Sequence, residues 1–305
     1  MNSFFQIICI FLFLFSKANA LDFKEIKPGI FLHMGKHEEI DHHNQGDICN
    51  ISFIVGKDSV LVIDSGASDK IANEVQDEIK KVTDLPIKYL VLTHGHPDHF
   101  FGTESFIINN PEISIFGHEK LSRSLLINFD FYKNQLKTTT KNPEFDKISL
   151  ILPNKVVKIG QTKTIDIGDR KIILEAWKSG HTDNDLSVYD ISTKTLITEN
   201  VFVNRIPPIT ASILGWKKTL DQIIKRDIDL IIPGHGEPKK KEEAIRPMLN
   251  YFNKLIEETR KIHKNNLDLE TALKKLQNMN EENWILFNDY HPRNITRSFS
   301  ELEWE

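Results

Sequence analysis

Cysteine is scarce in this chain. Its 305 residues include only two cysteines, Cys9 and Cys49. Cys9 lies in an apolar N-terminal run, so a mature chain that has lost this run keeps Cys49 alone and forms no disulfide within itself. No lipid-attachment pattern surrounds Cys9. The sequence therefore excludes a disulfide-stapled fold, and its length allows one large domain or two small ones.

An excess of positive charge and a long apolar span are missing as well. The net charge of −4 argues against a nucleic-acid-binding protein. The uncharged apolar run at residues 4–15 is too short to span a membrane comfortably. It is followed by the small-x-small pattern Ala18-Asn19-Ala20, although no Lys or Arg precedes it. We predict a signal peptide over residues 1–20, cleaved after Ala20, rather than a membrane anchor. The mature protein is then periplasmic or secreted, without stable membrane insertion.

What the chain has instead is a dense group of metal-binding residue types. They lie in the stretch Thr-His-Gly-His-Pro-Asp-His at residues 93–99. The residues that lead into it, 89–94, begin apolar and predict a buried strand. Gly95 and Pro97 exclude a regular helix within the stretch. The group therefore lies where a core strand opens into a loop, a position typical of functional sites.

The spacing of these side chains allows two metal ions. Side chains at i and i+2 of an extended segment point the same way, so His94 and His96 can converge on one ion. Asp98 and His99 follow where the chain turns and can face a second ion beside the first. Imidazole and carboxylate suit zinc, although iron and manganese accept the same ligands.

This run resembles the signature of the metallo-β-lactamase superfamily, and further motifs of that superfamily follow in order along nearly all of the mature chain. The resemblance implies an α/β fold, the four-layer αβ/βα sandwich, with two zinc ions. It makes His181, in a Gly-His-Thr stretch, the third histidine of the first zinc site beside His94 and His96. It also makes His235 the residue that completes the second site with Asp98 and His99.

Two further positions follow from the resemblance. Asp64, at the end of the apolar run 60–63, lies behind the ligands in such proteins and would hold a ligand histidine or the loop; the alternative is a turn or helix-cap aspartate. Asn200 aligns with an aspartate that often bridges both metals, and a neutral amide bridges poorly. Glu199 is adjacent, but the expected register points it elsewhere. The second zinc site is therefore expected to be the weaker one.

Local patterns outline the elements around these motifs. A hairpin is predicted over residues 21–35, and a strand, helix, strand unit with parallel strands over residues 60–94. Residues 119–150 predict a helical insertion whose aromatic residues either cover the substrate cleft or pack in the core. Residues 21–305 form the predicted hydrolase domain, with a helical C-terminal extension at about 239–305. His37, His42 and His43 either bind metal, line the mouth of the site or lie in a solvated loop. His118 either approaches the site or is an ordinary loop histidine.

A narrower resemblance concerns two stretches. The tail at residues 291–305 resembles the C-terminus of quinoprotein relay system zinc metallohydrolases, which occur alongside PQQ-dependent dehydrogenases. Asn204-Arg205-Ile206-Pro207, with Gly215-Trp216, is also similar to that branch.

The expected function is that of an exported zinc hydrolase acting on a small molecule. Zinc lowers the pKa of bound water from 15.7 to about 7, so a metal-bound hydroxide can attack at neutral pH. Asp98 would orient this nucleophile. The expected substrate is an ester, thioester or amide, in a setting associated with quinoprotein oxidation. Three alternatives stay open: a β-lactamase, a thioesterase of the glyoxalase II kind and a metal-binding protein without enzymatic activity. The sequence specifies neither the substrate nor the oligomeric state.

Overall fold

The computed structural model describes residues 21–305, and the predicted signal peptide lies outside the described residues. Within these residues, twelve strands form two sheets. The first sheet has the order β1-β2-β3-β4-β5-β6-β7; its strands are Phe23–Lys27, Ile30–His33, Ile51–Val55, Val60–Ile63, Ile87–Val91, Ser114–His118 and Lys155–Val157. The second sheet has the order β12-β11-β10-β9-β8; in chain order its strands β8 to β12 are Thr162–Asp166, Lys171–Ala176, Leu186–Asp190, Thr195–Phe202 and Leu230–His235.

Helices flank both sheets. Helices α1 to α4 come from the first half of the chain and are Asp69–Val82, Pro97–Phe100, Thr103–Asn109 and Leu121–Thr140. Helices α5 to α8 come from the second half and are Ile213–Ile223, Lys241–Lys264, Leu269–Leu276 and Phe287–Leu302. Helix α1 illustrates how the sequence sets these bounds, because the side chain of Ser68 accepts a hydrogen bond from Ile71 N as an N-cap. The apolar residues of α1 recur on one face, which is buried.

Three apolar clusters define four layers. One lies between the two sheets and joins residues such as Leu61 and Val91 to Leu174 and Val188. A second joins the outer face of the first sheet to α1, α3 and α4, and a third joins the outer face of the second sheet to α5 through α8. Each sheet is thus covered by helices on one face and by the other sheet on its second face. The predicted αβ/βα sandwich is confirmed.

The predicted local elements are present. The opening hairpin forms between β1 and β2, and β4 pairs with β5 in parallel, with Ile63 opposite Val91. Because parallel strands end at the same edge, this pairing places the residues after β4 beside those after β5. The segment 119–150 contains α4 and a short 3-10 helix, Pro143–Lys147. Among its aromatic residues, Phe129 and Phe145 are buried and Phe131 is exposed.

The C-terminal helices belong to the layer on the second sheet. Buried side chains of α6, among them Met248 and Phe252, pack in one cluster with Trp216 of α5 and Phe202 of β11. Helix α8 packs against α6 and α7 and buries Asn294 and Ile295. Within residues 21–305, none of the helices combines the length and the apolarity that crossing a membrane requires.

Candidate metal centre

The candidate site lies at one edge of the sandwich, where strands of both sheets end. Asp64 follows β4, and residues 93–96 follow β5. His235 is the last residue of β12, in the second sheet. The two sheets are joined at this edge because Leu186 N donates to Thr93 O over 2.7 Å. Residues that are distant in sequence therefore meet on a rigid frame.

The stretch 93–99 is partly helical. His96 has extended backbone angles, but Pro97 is the first residue of the one-turn helix α2. The prediction of a stretch without helix is therefore wrong from residue 97 onward. Proline suits the first helical position because its missing N–H would have no partner there and its φ is already helical. This turn carries Asp98 and His99.

Three of the predicted ligands form one group. The ligand nitrogens of His94, His96 and His181 all lie within 4.8 Å of one another. His181 Nδ1 lies 3.0 Å from Pro208 O, to which it donates, so its Nε2 is left with a lone pair; this Nε2 is 3.0 Å from His96 Nδ1. Burial lowers the pKa of each ring, that of His96 to about 4. Neutral imidazoles are the form that binds metal.

The other three predicted ligands also meet. Asp98 Oδ2 lies 3.2 Å from His99 Nε2 and 3.5 Å from His235 Nε2. His235 Nδ1 donates to Ile48 O over 2.8 Å, which directs its Nε2 toward Asp98. Burial by itself would raise the pKa of Asp98, but the neighbouring imidazoles, His99 first, bring it below its ordinary value. Asp98 is thus a carboxylate among imidazoles.

Asp64 supports His99 from behind. Its Oδ2 accepts hydrogen bonds from His99 Nδ1 at 2.8 Å and from Thr93 Oγ1 at 2.7 Å, and its Oδ1 accepts from Thr93 N at 2.8 Å. Its φ of 63° is uncommon for a residue other than glycine. Burial opposes the charge on His99, yet the carboxylates of Glu199, Asp98 and Asp64 raise its pKa well above the ordinary value. These contacts are those of a carboxylate that fixes the orientation of a ligand histidine.

Glu199, and not Asn200, faces this group. A Glu199 carboxylate oxygen lies within 4.8 Å of ligand nitrogens of His94 and His99, and its Oε2 is 3.6 Å from His99 Nε2. The expectation that Glu199 points elsewhere is wrong. The register of β11 against β12 shifts between Thr198 and Phe202, so the simple alternation of side chains does not hold across residue 199.

The side chain of Asn200 forms its hydrogen bond elsewhere. Its Oδ1 accepts a hydrogen bond from His181 N over 3.1 Å. A Cβ atom at Gly180 would lie 1.7 Å from this oxygen, so the glycine makes room for the amide. The structure therefore does not place Asn200 at the bridging position that the alignment assigned to it. Asn200 instead supports the backbone of the predicted ligand His181.

The polar atoms left over in the site fit a cation. Among the described residues, His94 Nε2, His99 Nε2 and Glu199 Oε2 are buried and have no hydrogen-bond partner. Leaving such an atom unpaired costs about 1–3 kcal/mol, and more for a charged group. A Cβ atom at Gly234 would lie 1.6 Å from Glu199 Oε2, so the glycine keeps space for this carboxylate. The donor set of imidazole nitrogens and carboxylate oxygens suits zinc and similar divalent ions.

A cavity of about 270 Å³ opens onto the site. Its wall combines His96, Asp98, His181 and His235 with side chains from α4, from the loop after β11 and from α8, among them Tyr132, Gln135, Arg205 and Tyr290. Arg205 is 3 % exposed, and its Nη1 lies 3.5 Å from His235 Nδ1. Its Nη2 donates to Tyr290 Oη over 3.3 Å, while its Nε has no partner among the described residues.

The remaining histidines play smaller parts. His42 and His43 are exposed, and they form a surface group with Asp41. His37 is half-buried, and burial, followed by the charge of Arg205, lowers its pKa. His118 is buried; its Nε2 lies 3.0 Å from Trp177 O, and its Nδ1 accepts from Lys120 N. These are the contacts of an ordinary structural histidine.

Several residues of the cavity were not recognised as site residues from the sequence. Arg205 was noted only as part of a resembling stretch, and Tyr290 and Glu39 were not singled out. Tyr290 Oη donates to Glu39 Oε1 and so links α8 to the loop after β2. In the sequence, the position of Arg205 shortly after Glu199 was the one available signal for this residue. Tyr290 is revealed only by contacts between distant segments of the chain.

Comparisons with known proteins agree with this geometry. The family model described as "Metallo-beta-lactamase superfamily" matches residues 44–235. Metallo-beta-lactamase IND-1 of Chryseobacterium indologenes is 26% identical over 244 residues, 77% of this chain and 91% of that protein. A linear primary-alkylsulfatase of Pseudomonas sp. is 33% identical over 72 residues, 22% of this chain and 14% of the relative.

Solved structures show the same fold. The stereoselective inverting sec-alkylsulfatase Pisa1 from Pseudomonas sp. superposes with a TM-score of 0.71 at 15% identity, over 92% of this chain and 50% of its own. The metallo-beta-lactamase DIM-1 superposes with a TM-score of 0.59 at 18% identity, over 77% of this chain and 97% of its own. The chain thus spans about half the length of the alkylsulfatase structure. Fold, motifs and matched family model together show that this chain belongs to the metallo-beta-lactamase superfamily.

Proposed function

We propose that the protein is a metal-dependent hydrolase that holds two divalent ions, with zinc as the preferred metal. His94, His96 and His181 would hold the first ion, and Asp98, His99 and His235 the second. Glu199 would be a ligand in place of the bridging residue first sought at Asn200. A bound zinc supplies a water whose pKa is lowered to about 7, the nucleophile that hydrolysis at neutral pH needs.

The single observation that carries this proposal is the set of unpaired buried atoms. His94 Nε2, His99 Nε2 and Glu199 Oε2 lie together without partners among the described residues, at a strand edge that faces a cavity. A metal-free structural role would leave these groups paired with one another or with backbone. Asp98 lies on the cavity wall, where its carboxylate would orient the attacking water and receive its proton.

The cavity favours a substrate with a negative charge. The Arg205 guanidinium is almost fully buried beside the metal group, and Glu39 Oε1, at 3.6 Å from Arg205 Nη2, belongs to a half-exposed side chain. Arg205 Nη1 donates to Glu38 O over 3.3 Å, and the guanidinium lines the cavity, where its positive charge would attract a carboxylate or a sulfate. We therefore expect a small ester, thioester or amide with an anionic group near the bond to be cleaved.

The relatives favour a second candidate activity and a class of substrate. The coverage of IND-1, at 91% of its length, favours a β-lactamase as the alternative activity. The alkylsulfatase relatives favour an ester whose leaving group or acid part is anionic. Export through the predicted signal peptide is part of the proposal, and an association with quinoprotein oxidation rests on the narrower resemblance alone.

The experiment combines metal analysis with a matched substrate pair. Purified mature protein is expected to retain about two zinc equivalents and to hydrolyse an aryl ester that carries a carboxylate faster than its uncharged analogue. Nitrocefin tests the β-lactamase candidate in the same assay. A protein that binds no divalent metal, or that turns over none of these substrates with zinc bound, would contradict the proposal.

Arg205 gives the substrate test its control. Arg205→Ala is expected to raise KM for the anionic ester about 10- to 100-fold, the size of one charge-assisted hydrogen bond, and to leave KM for the uncharged analogue nearly unchanged. Arg246→Ala removes an exposed arginine of α6 that pairs with Glu242, and should change neither value. Equal effects of Arg205→Ala on both esters would show that this residue does not read substrate charge.

A further inference from the structure

The two stretches that carry the narrower resemblance lie against each other in the fold. The first belongs to the segment between β11 and α5, residues 203–212, which we name the β11–α5 loop. The second is the tail at residues 291–305, which includes most of α8. Three side chains of α8 contact the loop, at positions 294, 297 and 301, and this spacing puts them on one face of the helix.

Successive side chains of α8 contact successive residues of the loop. Asn294 Oδ1 accepts from Ile209 N at 2.8 Å, and its Nδ2 donates to Pro207 O at 2.9 Å. Arg297 Nε donates to Ala211 O at 2.7 Å. Glu301 accepts from Ser212 Oγ at 2.5 Å and from the backbone N–H of residue 213 at 2.8 Å. Side chains of α8 thus hold the backbone of the loop between residues 207 and 212.

The same loop carries groups that contact the proposed metal site. Pro208 O accepts from His181 Nδ1 at 3.0 Å, and Thr210 Oγ1 donates to His181 O at 2.5 Å. Arg205 lies near the start of the loop and lines the cavity. Asn294 forms hydrogen bonds with the backbone on either side of Pro208. It is 1 % exposed, and Tyr251 Oη accepts a further bond from it at 3.0 Å.

We propose that Asn294 is a positioning residue for the metal centre, acting through the β11–α5 loop on His181. It fixes the Pro208 carbonyl, and that carbonyl fixes which nitrogen of His181 is free and where it points. Helix α8, a part of the predicted C-terminal extension, would then help to position the proposed metal site in addition to covering the second sheet. This inference rests on the proposed function, since it takes His181 to be a ligand.

The test uses three variants of the mature chain. Asn294→Ala removes both contacts with the loop, and Asn294→Asp keeps the acceptor for Ile209 N but loses the donor to Pro207 O. Ser298→Ala is the matched control, because Ser298 is fully buried on the same helix and its Oγ has no partner among the described residues. Circular dichroism first establishes that each variant is folded.

The first readout is zinc affinity by competition with a chelator. Asn294→Ala is expected to weaken one of the two zinc equivalents about tenfold and leave the other unchanged, as loss of an outer contact to a ligand does. Asn294→Asp should lie in between, and Ser298→Ala should match the wild type. Two unchanged zinc affinities in folded Asn294→Ala would overturn the inference. If Asn294→Ala does not fold, Asn294→Asp decides in its place.

The second readout needs no metal. In the metal-free wild type, the His181 Nδ1 proton is held by the Pro208 carbonyl and should give a slowly exchanging NMR signal. This signal should broaden in Asn294→Ala and persist in Ser298→Ala; a signal of equal lifetime in both variants also overturns the inference. A wild type that binds no zinc contradicts the proposed function itself, whereas a zinc-binding, active wild type with unaffected Asn294 variants contradicts only this inference.

Discussion

Two buried charged clusters lie at opposite ends of strand β10, and they are built in opposite ways. At the end that begins with Leu186, next to Thr93, the residues of the proposed metal site leave three polar atoms without partners among the described residues. At the other end, Asp190 accepts from Arg170 Nε and Nη2 at 3.1 and 2.9 Å, and also from Ser192 and Thr193.

The second cluster is complete without any added group. Arg170 Nη1 also donates to Val55 O over 3.1 Å, so the ion pair ties the second sheet to the first. Burial would raise the pKa of Asp190, but Arg170 and the neighbouring hydroxyl groups hold it below its ordinary value. Burial of charge alone therefore does not mark a functional site. Several unmatched imidazole and carboxylate atoms buried together at a cavity do indicate one, because a bound cation could satisfy them all.

The largest effect is expected from a substitution in the proposed metal site, the cluster with unpaired atoms. His96→Ala removes a proposed ligand of the first ion, so hydrolysis should fall by more than about 100-fold, together with the loss of at least one zinc equivalent. Steady-state rates and elemental analysis measure both. His43→Ala removes an exposed histidine outside the cavity and serves as the control. Full activity of His96→Ala without bound zinc would refute the metal assignment.

The next prediction separates two adjacent residues. Glu199→Gln keeps the shape of the side chain but removes its charge, so the affinity for one zinc equivalent should fall by about 100-fold. Asn200→Asp keeps the oxygen that accepts from His181 N, and its effect should stay below about tenfold. Titration with zinc under chelator competition compares the two. A larger effect at residue 200 would restore the alignment that placed the bridging residue there.

Substitutions in the Asp190–Arg170 cluster should change the stability of the protein and leave its zinc content unchanged. Asp190→Asn leaves the Arg170 guanidinium without its carboxylate and should lower the free energy of unfolding by about 3 kcal/mol, measured by chemical denaturation. Zinc content and KM should stay at their wild-type values. Asp169→Asn, which breaks the exposed pair with Lys57, should give no measurable change in stability. Loss of zinc in folded Asp190→Asn would show that the two clusters are coupled.

The smallest expected effect is a pH dependence of the same variant. Since the folded protein lowers the pKa of Asp190, the unfolded chain takes up this proton first as pH falls. The stability that the carboxylate contributes is therefore present above about pH 4 and is lost as pH falls through the lowered pKa. The stability difference between wild type and Asp190→Asn should narrow from about pH 5 to about pH 3. A constant difference over this range would mean that the charge of Asp190 contributes little.

Much of this architecture was predictable because it depends on local chemistry. The His-x-His-x-Asp-His run and the strand before it are contiguous, so spacing alone indicates which side chains can share an ion. Ser68 and the apolar period after it predict α1, which is present. The helix at Pro97 was missed because proline was read only as a helix breaker, although it also starts helices.

The missed features depend on pairing between distant parts of the chain. The orientation of Glu199 follows from the shifted register of β11 against β12, which no pattern within β11 reveals. Tyr290 reaches the cavity only because α8 packs beside the β11–α5 loop. Local sequence patterns do not reveal such contacts between distant segments. The signal peptide and the narrower family branch stay predictions.

The space at Gly234 has a consequence for sequence variation in this protein. A methyl group there would occupy the position of the Glu199 carboxylate, so residues 199 and 234 are constrained as a pair although 35 positions separate them. A chain with a small residue at 199 could accept alanine at 234, whereas with glutamate at 199 the methyl group would displace the carboxylate from its present position. Substitutions at residues 199 and 234 are therefore expected to occur together and not singly.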